Sequence, residues 1–320
     1  MSKPGAPRVS VILPVYNGQQ FIRRAIENAL SQSLDNLDNL EILVIDDGST
    51  DGTPEILQGF GERIRAFRQI NQGCYVARNL GLRHARGELI AFLDADDAWL
   101  PGKLAAQISL MDARPNVGLV LGNAIFEDEL GRRGRTAFDY VPPARGKVFR
   151  TLVEGNFIPT SSVLVRRRCL DEVGPFKEVR LAADYHKWLQ IAMRYEVDYV
   201  EEPVSIYTVH SSNISSNRAL QIKTLIKLID DLIASNPAPE CASLLRKRNV
   251  DLEYQWASIQ VREGLSQLVT TSLTPREGVS AAARIGLLLR LLRSSFANKA
   301  RKSLNGTIGE SRFSAAPSKR

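Results

Sequence analysis

Short apolar runs that close in acids or turn residues alternate, along the first part of the chain, with stretches whose apolar side chains recur every three or four positions. "VSVILP" (9–14) and "LEILVID" (40–46) are β-branched and continuously apolar, the pattern of strands buried on both faces of a parallel sheet. Between them Phe21, Ile22, Ala25, Ile26, Ala29 and Leu30 fall on one helical face. The alternation predicts a helix after "DGSTDGT", a strand near "IRAFRQ", a helix from about Cys74 to Ala85, the strand "ELIAFL" and a helix beginning near Pro101. Such β/α alternation builds an α/β, Rossmann-like, mostly parallel sheet with helices on both faces. Ligands of these sheets gather beyond the carboxyl ends of the strands.

Past "VGLVLGNAIFED" the pattern loosens, and 131–147 carries the glycines, prolines and arginines of a surface insertion. Strand character returns in "TSSVLVRR" and "PVSIYTVH", with a helix from about Asp184 to Tyr195 between them. From 219 onward the chain reads as helices alone. Ile222, Leu225, Ile226 and Ile229 form one apolar stripe; Ile285, Leu288, Leu289, Leu292 and Phe296 form another, flanked by Arg284, Arg290, Arg293 and Lys299. The expected organisation is a tail over 1–7, a main domain over 8–218, an α-helical C-terminal region over 219–304 and a disordered tail over 305–320.

Composition narrows the class. At 320 residues, 44% hydrophobic and 24% charged, the chain is an ordinary soluble globular protein with room for a sizeable core. Cys74, Cys169 and Cys241 lie far apart with no C-x-x-C spacing, which argues against a zinc site or a disulfide framework and for a reducing cytoplasm. "MSKPGAPRVS" has no apolar signal core, and no window approaches the roughly eighteen apolar residues of a spanning helix. The net charge of +7 concentrates toward the C-terminus without interleaved aromatics, so nucleic acid is not the expected partner. An anionic membrane surface or an anionic substrate accounts for it at least as well, and the amphipathic stretch 284–302 either packs on the main domain or lies on that surface as a peripheral contact.

The chemistry concentrates at strand ends. "IAFLDADDAWL" places Asp94, Asp96 and Asp97 after a buried strand, where repulsion and desolvation are both unfavourable. A divalent cation, or a polyphosphate held through one, offsets that cost, because Mg²⁺ and Mn²⁺ prefer oxygen ligands. A second cluster, "IDDGSTDGT", follows another strand; its glycines and Ser49, Thr50 or Asp51 suit a turn and a helix cap, but Asp46 remains as an acceptor for a base or ribose. In "PVYNG", Pro14 leaves carbonyls unpaired and Tyr16 can stack beside a base.

The segments "VSVILPVYNGQQFIRRAIENALSQS", "EILVIDDGSTDGT", "NQGCYVARNLGLRHARGELIAFLDADDAWLPGKL" and "LAADYHKWLQIAMRY" together resemble the inverting glycosyltransferases of family 2, in their order and spacing, over about 8–215. The resemblance implies a GT-A fold, with a nucleotide-binding half over 8–115 and an acceptor-binding half over 116–218. It implies that Pro14, Val15, Tyr16, Asn17 and Asp46 frame the base of a nucleotide diphosphate sugar, UDP favoured. Arg78 faces the base or phosphates, and Asp94 and Ala95 approach the ribose. Asp96 binds Mn²⁺ or Mg²⁺, joined by His210, and Asp184 is the general base. Trp99 and Trp188 are candidates for the acceptor region, with core packing as the alternative for each. Many relatives carry two acids in a row where this chain has Ala183 and Asp184, so only Asp184 is available as base. The implied activity is metal-assisted transfer of the sugar to a hydroxyl of a glycan or lipid-linked acceptor, in cell-surface polysaccharide assembly, at the inner face of the cytoplasmic membrane.

Other classes fit less well. A haloacid-dehalogenase-like phosphatase also opens on a strand and D-x-D, but here "Asp97-Ala98-Trp99" follows and βα units precede it. "PVYNGQQ" is not the G-x-G-x-x-G of a dinucleotide-binding dehydrogenase. A nucleotide-sugar-binding protein of the same fold that has lost catalysis is the non-enzymatic alternative; the intact D-x-D and candidate base count against it.

Overall fold

A computed structural model describes residues 6–32, 40–211, 213 and 217–262. The chain divides into two compact units, Met1–Arg248 and Asn249–Arg320. The amphipathic stretch 284–302 and the tail 305–320 lie outside the described residues.

The first unit begins β1 (Val9–Val15), α1 (Ile22–Leu30), β2 (Leu40–Asp46), α2 (Thr53–Gln58), β3 (Arg65–Arg68), α3 (Cys74–His84), β4 (Leu89–Phe92), as the alternation predicts. Then follow β5 (Ala98–Trp99), α4 (Lys103–Ala113), β6 (Val117–Asp128), β7 (Arg133–Thr136), α5 (Ala137–Tyr140) and α6 (Phe149–Glu154). A 3₁₀ turn (Thr160–Ser162), β8 (Leu164–Arg166), α7 (Arg167–Val173), α8 (Ala183–Ala192), β9 (Glu196–Val209) and α9 (Arg218–Ala234) come next, and α10 (Pro239–Arg262) crosses the boundary between units. The 131–147 segment is more than a loop: β7 folds back on β6, and Thr136 and Asp139 make a capping box on α5.

One sheet of nine strands runs β3-β2-β1-β4-β8-β6-β9-β5, with β7 on β6. It is parallel from β3 to β4 and again between β6 and β9; β8, β5 and β7 run antiparallel to their neighbours. Every residue of β1 and β4 is buried, as their unbroken apolar runs require. Helix α3 lies close enough on β1 that a Cβ at Gly81 would sit 2.6 Å from Ile12 Cγ2, so only glycine fits there.

The chain leaves β1 toward β2 and β3, then crosses back through α3 to β4 on the other side of β1. That reversal is the switch point at which such sheets open a crevice. Pairing of β1 with β4 stops at Ile12 and Phe92, whereas pairing with β2 continues to Val15 and Asp46. Pro14, which has no N–H to offer β4, lies in the gap.

Helix α9 packs its stripe of Ile222, Leu225, Leu228 and Ile229 into the first unit and contacts α8. Among the described residues no helix is long and apolar enough to cross a membrane.

Helix α8 carries two buried bases. Lys187 is fully buried and donates from Nζ to the carbonyls of Gly174, at 2.5 Å, and Pro175, at 2.8 Å. Burial, aided by the charge of Lys177, lowers Lys187 from 10.5 to about 7. Burial, with the charges of Lys187 and Lys177, lowers its neighbour His186 from 6.5 to about 4. The folded state therefore binds fewer protons than the unfolded chain between pH 4 and 6.5 at His186 and between pH 7 and 10.5 at Lys187, so both raise stability as pH rises. Urea unfolding at pH 7 and pH 10 checks this: wild type gains on the order of a few kcal/mol more than Lys187→Met across that interval. An equal gain in the variant would contradict the burial argument.

Candidate active site

The strand-end acids divide by what holds them. Asp47 and Asp97 are committed to the backbone. Asp47 accepts from Gln69 Nε2 and from the N–H groups of Gln72 and Gly73, at 2.7–2.9 Å, and so sets the loop that opens α3. Gly73 takes φ +94° at that point, a conformation that suits glycine. Asp97 is buried at the end of the β4 turn; Oδ2 accepts from Ser161 Oγ and Oδ1 from the Thr208 N–H at 3.1 Å. Burial first, then the charges of Asp96 and Asp94, push its carboxyl well up.

Asp46 and Asp94 are paired with arginines. Asp46 is buried, with Oδ1 accepting from Ser49 N–H at 2.8 Å and Oδ2 at 3.1 Å from Arg68 Nη1. Arg68, half-exposed at the end of β3, also donates to the Ser49 carbonyl. Asp94 meets the guanidinium of Arg78, which is buried in α3. Burial raises the Asp94 carboxyl, Arg78 opposes it and Asp96 adds to the rise. The backbone N–H of Asp94 donates to Ser161 Oγ at 3.1 Å.

Around this pair the end of β1 forms a wall. Val15 is buried, Tyr16 is 51% exposed, and Asn17 turns the chain with φ +49°. The Asn17 side chain accepts from Thr50 N–H and its own N–H donates to Ser49 Oγ, fastening β1 to the β2–α2 turn.

Asp96 meets a histidine, and Asp184 two hydroxyls and a backbone N–H. Half-buried Asp96 has Oδ2 2.9 Å from His210 Nε2, and the imidazole stacks on Phe21 with ring centroids 5.2 Å apart. The structure thus brings His210, from the end of β9, to the D-x-D motif. Asp184 lies in the first turn of α8, one residue inside the helix start. The cap position is Ala182, held at φ +64°, with no side-chain cap bond; Asp184 is therefore not the N-cap. Its Oδ1 accepts from Tyr75 Oη at 3.0 Å and Tyr185 N–H at 2.8 Å, and Oδ2 from Thr160 Oγ1 at 2.8 Å.

Thr160 and Ser161 are consecutive, so the 3₁₀ turn holds Asp184 on one side and Asp94 and Asp97 on the other. Donor-side and base-side candidates therefore flank a single turn.

The tryptophans are core residues. Trp188 has no exposed surface and packs edge-on against Phe176 and tilted against Phe92. Trp99 is buried, with Nε1 donating to the Ser161 carbonyl at 2.7 Å. Both expectations of an acceptor role give way to packing. Residues whose place in the site sequence reasoning missed are Arg68, Tyr75, Thr160, Ser161 and Phe21; Tyr75 and Phe21 lie inside the segments quoted above, but as residues with no assigned task.

Among the described residues no group of three or more His, Cys, Asp or Glu side chains could hold a metal by itself. Asp96 and His210 form a two-residue donor set.

The model of glycosyl transferase family 2 matches residues 10–174. An uncharacterized glycosyltransferase of Haemophilus influenzae is 31% identical over 218 residues, covering 66% of this chain and 83% of that protein. A Bacillus subtilis protein named "Putative teichuronic acid biosynthesis glycosyltransferase TuaG" is 29% identical, with the same coverage of both chains. Of an uncharacterized glycosyltransferase of Rickettsia felis, 30% identical over 227 residues, the chain spans only 36% of the length. Among solved structures, S. aureus TarS 1–349 in complex with UDP-GlcNAc superposes with TM-score 0.61 at 17% identity, covering 89% of this chain and 81% of that one. A mannosyltransferase from Pyrobaculum calidifontis in complex with GDP-Man and Mn²⁺ gives TM-score 0.61 at 23% identity, covering 83% and 78%. At these identities the structural likeness shows the fold.

Adjacent acids with different partners have different costs. Asp97→Ala strands a buried hydroxyl and a buried N–H and lowers unfolding free energy by about 2–4 kcal/mol, whereas Asp96→Asn changes it by less than about 0.5 kcal/mol. Urea titrations of the two variants check the contrast, and equal losses would contradict the division.

Proposed function

The chain belongs to glycosyl transferase family 2, and from that premise we propose that it transfers a sugar, with inversion, from a nucleotide diphosphate sugar to a hydroxyl of a glycan or lipid-linked glycan. The observation that carries this reading is the meeting of Asp94, Asp96 and His210 with Asp184 across the Thr160–Ser162 turn, at the switch point of the sheet.

Each residue has a task that its surroundings suit. Tyr16 offers an exposed ring for a base to stack on. Asp46 with Arg68 offers an acceptor beside donors, which complements the imide edge of uracil, and we assign a UDP-sugar on that ground. Pro14, Val15 and Asn17 shape the wall, and Arg78 brings fixed positive charge beside Asp94, Ala95 and the phosphates. In the transfer step Asp184 takes the proton of the acceptor hydroxyl as its oxygen bonds to the anomeric carbon. The carbon–phosphate-oxygen bond breaks and its electron pair leaves on the nucleoside diphosphate.

Asp96 and His210 fit a divalent ion. Carboxylate oxygen and imidazole nitrogen both suit Mn²⁺. Asp96 Oδ2 and His210 Nε2, which lie side by side, would hold it. Held there, Mn²⁺ or Mg²⁺ would supply positive charge to offset that of the leaving phosphates.

The Arg78–Asp94 pair also weakens the phosphatase alternative, because it ties up the carboxylate that would be nucleophile. Similarity to the B. subtilis protein supports a setting in polysaccharide assembly.

Thermal unfolding against UDP-GlcNAc, UDP-glucose, UDP-galactose and GDP-mannose, with and without Mn²⁺, tests the reading. A donor at a hundred times its Kd raises Tm by about 5–10 °C. The rise needs Mn²⁺, disappears in Asp96→Asn and persists in Asp184→Asn, which loses turnover. No rise with any donor would overturn the donor assignment, and wild-type turnover in Asp184→Asn would overturn the base.

A further inference from the structure

Asp184 is held by more donors than a surface carboxylate needs. A carboxylate has about four acceptor positions, two on each oxygen. Oδ1 fills both of its positions, with the Tyr75 phenol and the Tyr185 N–H, while among the described residues Oδ2 receives only the Thr160 hydroxyl. One acceptor position remains, and it is on Oδ2.

We propose that Tyr75 and Thr160 are positioning residues for Asp184, fixing its carboxylate so that Oδ2 is the atom that takes the proton of the acceptor hydroxyl. This rests on the reading of Asp184 as the base.

Neither hydroxyl is free to wander. The Tyr75 ring is 5% exposed, stacks on Phe176 at 5.9 Å and lies under the Arg78 guanidinium at 5.0 Å. Phe176 is pinned in turn, since Asn79 accepts from its N–H at 2.8 Å and donates to its carbonyl at 2.9 Å. Burial, and then the charge of Asp184, raise the Tyr75 phenol well above 10, so it remains a donor at any working pH. Thr160 belongs to a turn whose next residue, Ser161, is fixed between Asp94 and Asp97. The two hydroxyls thus arrive from elements that also carry the donor side: α3 with Arg78, and the turn with Ser161. Packing alone does not require either group, because a phenylalanine at 75 could keep the contacts with Phe176 and Arg78, and a valine at 160 has the shape of threonine.

The proton balance is simple. The acceptor O–H bond breaks and its proton goes to Oδ2; the acceptor oxygen bonds to the anomeric carbon; the departing nucleoside diphosphate keeps the electron pair of the broken bond.

Nucleoside diphosphate release to water from UDP-GlcNAc, UDP-glucose, UDP-galactose and GDP-mannose, each with Mn²⁺, reads the effect on the full chain without a glycan acceptor. Tyr75→Phe and Thr160→Val lower kcat by about 10- to 100-fold, with donor KM unchanged within about twofold and Tm within a few degrees of wild type. Thr160→Ser, which keeps the hydroxyl, restores most of kcat. Asp184→Asn is measured alongside. If it loses release while Tyr75→Phe and Thr160→Val keep wild-type kcat, the positioning role is wrong and the base stands. If Asp184→Asn itself keeps wild-type kcat, the base reading falls. A Thr160→Ser variant as slow as Thr160→Val would also overturn the proposal, since shape rather than the hydroxyl would then be what matters.

Discussion

A buried carboxylate that the fold has to satisfy organises the site. Asp97 follows β4 where water is excluded, so its oxygens must find donors inside the protein. Those donors come from far along the chain: the Ser161 hydroxyl from the 3₁₀ turn and the Thr208 N–H from β9. Meeting that single requirement brings β9 and the turn against the end of β4. His210, two residues beyond Thr208, is thereby carried to Asp96, and Thr160, one residue before Ser161, to Asp184. The two halves of the sheet are joined through this carboxylate as much as through their hydrogen-bond ladder.

The same logic explains how so many acids share one crevice. Like charges close together cannot all remain ionised and exposed without compensation. Asp47 and Asp97 are absorbed by backbone and side-chain donors, and Asp46 and Asp94 by arginines, each with a different kind of partner. Asp96, beside His210, and Asp184, held by two hydroxyls and a backbone N–H, stand one on each flank of the turn. Arg78 stands among them as a fixed cation whose protonated form Asp94 favours despite burial.

Much of the fold was legible because it is local. Unbroken apolar runs gave β1, β2 and β4, the 3.6-residue rhythm gave α1 and α3, and acids at strand ends marked the crevice before any partner was known. The same local pattern also said that Asp46 ends a strand. What it could not say is that Arg68 covers it, because that contact depends on β3 lying beside β2. Tyr75, Thr160 and Phe21 were hidden for the same reason: each acts on a residue distant in sequence, and a tyrosine, threonine or phenylalanine is unremarkable where it stands. The tryptophans show the opposite error. Proximity to a motif suggested an acceptor role, but an indole beside a strand end packs inward when aromatic partners such as Phe92 and Phe176 wait there. Antiparallel β8 was readable as a strand, though not its direction, since a short apolar run does not reveal its sense.

Stability and positioning draw on the same residues. Among the described residues Lys187 has no carboxylate partner in hydrogen-bond reach, and a buried cation so placed works against stability at neutral pH. Its ammonium holds the carbonyls of Gly174 and Pro175, which lead directly into Phe176, the ring against which Tyr75 stacks. Ala182 and Asn17, held in the left-handed region, lie at the start of α8 and the end of β1, the two places that present Asp184 and the donor wall. An L-residue there costs about 1 kcal/mol or more and persists only where surrounding contacts over-determine the backbone. These unfavourable features lie on elements that lead to the crevice, with the left-handed Asn236 after α9 as the exception. That distribution follows if a continuous core supplies the stability against which a small set of polar residues can be held in positions they would not choose alone.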